Sequence, residues 1–339
     1  MENKTMFYLG MDVSKLWLDL AVLSVINHEK QPMVTNRFDN NNSGMKKLDK
    51  WLKKLQVSFD TDSLLVIENT GIYHRIIWQY CSENNLPIYI GNAAHIKWSF
   101  GIARGKSDLI DCKRLCDYAS KHGNELKTTP SLDPAILNLK DLMTTRATLV
   151  EQKTIFTKQL KEGKPFKSIE AYLFMVKALQ PTLDGLKTSL ASVEAAIKEI
   201  TGSDTIKTNH DLLTSVPGIG PVIATYLICC TSNFAGKHSG KQVACYAGVV
   251  PFGHTSGSSI RGKDRVHKMA NKKLKKLLHL GALSAIKNYP EFRDYYERKK
   301  TAGKHPLSIL NAIRNKLILR AVAVINNQQP YLNNYQKAA

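Results

Sequence analysis

Hydrophobic positions in the first 127 residues switch between a period of two and a helical period. Phe7–Val13 is a short apolar run, and Leu18, Leu20 and Val22 alternate after it, which predicts two adjacent strands joined by a tight turn. Met45–Leu55 has helical spacing. Leu64–Ile67 reads as a buried strand ending in Glu68, with Asn69-Thr70-Gly71 as a turn. Ile72–Cys81 then reads as a helix, Pro87–Ile90 as a strand and Leu109–Ala119 as a helix. This order predicts a mixed α/β sheet with helices packed on it.

The pattern changes between Asp133 and Ile200. Leu183, Leu186, Leu190, Val193, Ile197 and Ile200 step by three and four, as along a coiled-coil seam. Leu139, Met143, Ala147 and Val150 supply a partner series, and the break near Gly163–Pro165 turns the pair into an antiparallel hairpin. Helices of an ordinary bundle fit three heptads equally well, and either reading is a helical spacer. From Asp211 onward the chain reads as mainly helical.

Charge separates the ends. The 339 residues carry a net charge of +20; residues 1–125 account for +2 and the remainder for +18. An excess so placed points to a polyanion partner, with nucleic acid the simplest. The apolar fraction of 43% excludes disorder and fibrous architectures. Six cysteines without a C-x-x-C pair, and no histidine pair at zinc spacing, imply reduced thiols in a cytoplasm. Met1–Lys15 does not resemble a signal peptide. Leu212–Gly236 is uncharged, but Pro217, Gly218, Gly220 and Pro221 break it into pieces too short to span a bilayer.

Candidate chemistry falls in three places. Asp12 lies inside the first apolar strand, Glu68 ends the Leu64–Ile67 strand, and Asp108 and Asp111 are three apart at a helix start. A helix cap explains Asp108 alone, and a turn explains Asp12 alone. Together, four carboxylates at strand ends and a helix start form an oxygen-rich site for one or two Mg²⁺ and phosphodiester chemistry, as in ribonuclease-H-like nucleases. The second place is Val216-Pro217-Gly218-Ile219-Gly220-Pro221. A Pro-Gly-x-Gly turn between helices lets backbone N–H groups reach a phosphate in helix-hairpin-helix fashion, or it is an ordinary tight turn. The third is the Ser- and Gly-rich stretch Tyr246–Gly262, read as an open loop. After it, Arg261, Lys263, Arg265, Lys268, Lys272, Lys273, Lys275 and Lys276 face one acid, Asp264. A phosphate clamp is the commoner use of such a stretch, and chemistry does not choose among Ser256, Ser258 and Ser259. Tyr73, His74, Trp78, His95, Lys97 and Trp98 are weaker candidates for contact with bases.

In order and spacing these motifs resemble one family over nearly the whole chain: the DEDD transposases of the insertion-sequence one-ten family, the bridge-RNA-guided serine recombinases. The resemblance rests on Tyr8–Lys15, Val66–Tyr73, Lys106–Cys112, the Pro-Gly-Ile-Gly segment, Tyr246–Pro251, Thr255-Ser256-Gly257, Gly262, Asn271 and Leu274. The family usually has Ala in place of Asn69, and commonly Thr and Ala in place of Ser107 and Cys112; every acid is kept. The resemblance implies a RuvC-like domain over 1–127, a helical coiled-coil spacer over 128–205, and over 206–339 a basic, mainly helical domain with a helix-hairpin-helix-like segment. It implies that Asp12, Glu68, Asp108 and Asp111 bind Mg²⁺ and that Ser256 is the nucleophile, the acids of one protomer working with the serine of another in a dimer or tetramer. It implies a non-coding bridge RNA that selects target and donor DNA, and a bacterial, cytoplasmic protein that joins the nucleoid when acting. Pro217, Gly218, Gly220, Arg261, Lys263, Arg265, Lys268, Lys272, Lys273 and Lys276 are the expected nucleic-acid contacts. Two rivals stand beside this reading: a metal-dependent nuclease or Holliday-junction resolvase without serine catalysis, and a non-catalytic nucleic-acid-binding scaffold.

Overall fold

A computed structural model describes residues 5–100, 107–236, 238–256, 260–266 and 269–332. The chain folds as two compact units, Met1–Leu132 and Asp133–Ala339.

The first unit is a mixed sheet with helices on both faces. Strands β1 (Thr5–Val13), β2 (Trp17–Ile26), β3 (Glu29–Lys30) and β4 (Val34–Asp39) precede helix α1 (Asn42–Lys54). Strand β5 (Ser63–Glu68), helix α2 (Arg75–Glu83), strand β6 (Ile88–Gly91), helix α3 (Ala93–Ser99) and helix α4 (Asp108–His122) follow. The strand order is β3-β2-β1-β5-β6, with β4 also paired to β2. β1 runs antiparallel to β2 and parallel to β5. Alternation sorts the side chains. Leu9, Met11, Val13, Leu18, Leu20 and Phe38 pack with Leu48 and Leu52 of α1 on one face. On the other, Ala21, Leu23, Val66 and Leu64 meet Cys112, Leu115, Cys116 and Ala119 of α4.

Helix α2 starts at Arg75, later than the apolar spacing suggests. Gly71 turns the chain at φ +73°, and residues 71–74 form the turn. Helices α1 and α4 have ordinary polar starts: Asn41 Oδ1 accepts from Gly44 N at 2.9 Å, and Ser107 Oγ accepts from Ile110 N at 3.3 Å.

The second unit opens with a helical hairpin, α5 (Pro134–Gly163) against α6 (Ile169–Thr201). Helices α7 (Asp204–Thr214), α8 (Pro221–Thr231) and α9 (Gly240–Tyr246) lead to a two-stranded hairpin, β7 (Pro251–Ser256) and β8 (Ile260–Val266). Helices α10 (Lys272–Asn288), α11 (Pro290–Thr301) and α12 (Pro306–Asn327) complete it. One core, from Ile136 to Ile325, unites the base of α5 with α7–α12.

The hairpin corrects the sequence reading of Tyr246–Gly262 as an open loop. Arg261, Lys263 and Arg265 alternate with Ile260, Gly262, Asp264 and Val266, which is a strand period, and the helix begins only at Lys272. Among the described residues no helix is long and apolar enough to cross a membrane.

Candidate active site and nucleic-acid interface

Strand register builds the acidic site. Asp12 pairs with Asp19 across the β1–β2 hairpin, and Asp19 pairs with Arg37 of β4. On the other side Met11 pairs with Ile67, so one residue further on Asp12 stands beside Glu68. Register partners share a face. Glu68, Asp12, Asp19 and Arg37 therefore form a row across four neighbouring strands, on the face that α4 covers.

Gly10 lets α4 come down onto this face. A Cβ there would lie 2.0 Å from Cys116 N and 2.4 Å from Cys112 O, so only glycine fits under the helix. The Cys116 thiol donates to the Tyr8 carbonyl at 3.1 Å and pins the same contact. The first turn of α4 then delivers Asp108 and Asp111, where the helix dipole favours anions.

The electrostatics report the convergence. Burial pushes the Asp12 carboxyl above the ordinary carboxylate value, and the charges of Asp108, Asp111 and Asp19 push it further. Two arginines restrain the cluster. Arg37 forks onto Asp19, Nε to Oδ1 at 2.8 Å and Nη2 to Oδ2 at 3.0 Å, and its Nη2 also donates to Asp108 Oδ2 at 3.1 Å. Arg114 donates to Asp111 at 3.1 Å. Asp19 is only 6% exposed, and the sequence reading missed it. Its signal was the one that identified Asp12, a carboxylate flanked by leucines in an alternating strand.

The donors suit a hard divalent cation in kind, being all carboxylate oxygen. They are not drawn into one cage: among the described residues no three His, Cys, Asp or Glu side chains are close enough to share an ion. Asp108 and Asp111 are each turned toward an arginine.

The second unit holds the other expected residues. Ser256 ends β7 and pairs with Ile260, and Arg261 and Lys263 lie on β8; of these three only the backbone is described. Ser258, Ser259 and Lys268 lie outside the described residues. Arg265, Lys272, Lys273 and Lys276 are exposed.

The root of the hairpin is clamped. Asn271 N donates to Tyr246 O and Asn271 Nδ2 to Tyr246 Oη, both at 2.8 Å, while its Oδ1 caps α10 by accepting from Leu274 N at 2.9 Å. Gly248 sits at φ +65°, where a Cβ would meet the Ala270 methyl at 2.2 Å.

The Pro-Gly-Ile-Gly turn joins α7 to α8 as the sequence suggests, but most of it faces the core. Pro217 is buried, and Gly218, at φ +86°, lets the turn close on the Gly281 carbonyl of α10. Only Gly220, capping α8, is exposed, so contact with a phosphate by Pro217 or Gly218 conflicts with their packing.

Two family models match: a DEDD transposase model over residues 9–162, and "Transposase IS116/IS110/IS902 family" over residues 210–297. The chain belongs to the IS110 family of transposases. It is 27% identical to the pilin gene-inverting protein of Moraxella bovis, covering 96% of this chain and 97% of that one. The pilin gene-inverting protein of Moraxella lacunata is also 27% identical, over the same shares. An uncharacterised 43.6 kDa protein of insertion element IS110 from Streptomyces coelicolor is 31% identical over 40% of this chain and 36% of its own length. Family membership makes the chain a DNA-cutting enzyme of an insertion sequence, and a family of this kind typically uses divalent metal ions.

Proposed function

We propose that this transposase cuts and rejoins DNA strands with Asp12, Glu68, Asp108 and Asp111 around Mg²⁺ and with Ser256 as nucleophile, on a RuvC-like first domain. The observation that supports the acidic half is that α4, seated on Gly10, brings Asp108 and Asp111 within electrostatic reach of Asp12. A bound Mg²⁺ would stabilise charge on the phosphodiester oxygens. The protein's own part is to hold the carboxylates in register, through Gly10, Arg37 and Arg114.

In the covalent step a bond forms between Ser256 Oγ and phosphorus and the strand's P–O bond breaks. The serine proton ends on the departing oxygen, and the reverse reaction reseals the strand. The chain's resemblance to the serine recombinases supports this half, as does the run of cations on β8 and α10. Full-length likeness to proteins named for inverting a pilin gene supports rejoining as well as cutting. A guide RNA that pairs with target and donor DNA would leave the protein to contact backbone and shape, which suits the +18 remainder.

The decisive experiment incubates S256A and D12N with element-end DNA. S256A should lose both strand cleavage and the covalent protein–DNA adduct, and D12N should lose cleavage. Full cleavage by S256A without an adduct would leave an acidic-site nuclease instead. RNA that copurifies with the protein, when sequenced, should include a discrete transcript from the element's own flank.

A further inference from the structure

Lys272, Lys273, Lys275 and Lys276 crowd the start of α10, where the helix dipole already presents positive charge, and no acid lies in that turn. Such a helix start is poised for an anion, and a second cation makes the demand specific. Arg314 of α12 is 8% exposed, and its Nε is sealed from solvent without a hydrogen-bond partner. No hydrogen bond, ion pair or ring contact engages this guanidinium among the described residues. Arg37, Arg146 and Arg320, the last on the same helix, each hold a carboxylate.

Arg314 and Lys275 are electrostatic neighbours. Burial lowers both below their ordinary values, and the charge of Arg314 lowers Lys275 further. His279, one turn on from Lys275, has its Nδ1 sealed from solvent and unpartnered as well. The place in the fold is informative. Asn311, one turn before Arg314, donates to the Val249 carbonyl at 2.8 Å, just ahead of β7. Asn271, just ahead of the lysines, clamps the other end of the same hairpin.

We propose that Arg314 and Lys275 form a binding site for one phosphate of the DNA backbone at the root of the β7–β8 hairpin. A buried cation without a counter-charge is strongly unfavourable. A phosphodiester supplies one negative charge and two free oxygens that match the guanidinium fork, while Lys275 adds a point charge at the rim. The site is built from residues of the second unit alone, and it would anchor DNA beside the hairpin whether or not Ser256 is the nucleophile.

The test uses the full chain and thermal unfolding in phosphate-free chloride buffer. R314M should unfold at a higher temperature than wild type, because it removes an unpaired buried charge while keeping the volume. Inorganic phosphate at matched ionic strength should raise the wild-type midpoint and leave R314M unmoved. K275Q, on a half-buried residue, guards against a folding failure of R314M and should keep only part of the phosphate response. On a short duplex R314M should bind about tenfold more weakly, the worth of one charge-assisted contact. The loss should be the same for any sequence, with a salt slope shallower by about one. The proposal is overturned if R314M melts below wild type in chloride and phosphate lifts both alike. It is also overturned if phosphate leaves the wild type unmoved, or if K275Q keeps the full response. A duplex affinity unchanged in R314M while inorganic phosphate still acts would give the site to free anions and refute the DNA assignment.

Discussion

At the scale of single residues, the acidic site is governed by what each carboxylate finds beside it. Asp12 finds burial and three like charges, and its raised value carries a sign for stability. Above that raised value the ionised group destabilises the metal-free fold. Below the ordinary 3.8 both folded and unfolded chains hold the proton and the penalty vanishes. D12N should therefore raise the melting temperature of the metal-free protein at pH 8. The gain should shrink as the pH falls through the folded value toward 3.8, and a pH series of thermal melts checks this. The sequence made Asp12, Glu68, Asp108 and Asp111 legible because each stands where a carboxylate is unusual or paired. Asp19 carried the same signal and was passed over. Arg37 carried none, since only the register of β4 on β2 brings it to Asp19.

At the scale of elements, one contact positions the site: α4 lying on β1 at Gly10. G10A drives a methyl into the helix backbone and should cost about 3 kcal/mol or more, near the top of the overpacking range. G71A, at φ +73° with open space around it, should cost about 1 kcal/mol. Thermal melts of both variants would measure the difference. Only G10A should also weaken Mn²⁺ binding by titration, because it lifts Asp108 and Asp111 away from Asp12. Short apolar runs announced β1 and β5, alternation announced β2, and helical spacing announced α1, α4 and the α5–α6 pair. α3 is a seven-residue helix with a single buried position, Ile96, too short to show a period. The basic stretch after Ser256 was legible as charge but not as form. Its lysines and arginines dominate the eye, whereas the alternation that makes β8 sets them against Ile260, Gly262, Asp264 and Val266.

At the scale of the whole molecule, the two units have separate cores: every buried cluster lies wholly within Met1–Leu132 or wholly within Asp133–Ala339. A chain cut at this boundary should give a 1–132 fragment that melts cooperatively by itself. Calorimetry should show Mg²⁺ raising its midpoint and leaving that of the 133–339 fragment unchanged. Charge follows the same division, with the surplus almost entirely in the part after residue 125. This was the most legible property of all, because net charge needs no fold to be counted.

The shared hold of Arg37 on Asp19 and Asp108, with Arg114 on Asp111, has a bearing on how the enzyme matures. Carboxylates grouped for an ion ordinarily keep a protein loose until the ion arrives. Here two guanidinium groups already hold three of the aspartates, so the newborn polypeptide should reach its final shape even under chelation. On the proposed metal reading, activation would be a later exchange of partners, in which an incoming ion takes over an aspartate that an arginine has kept in waiting.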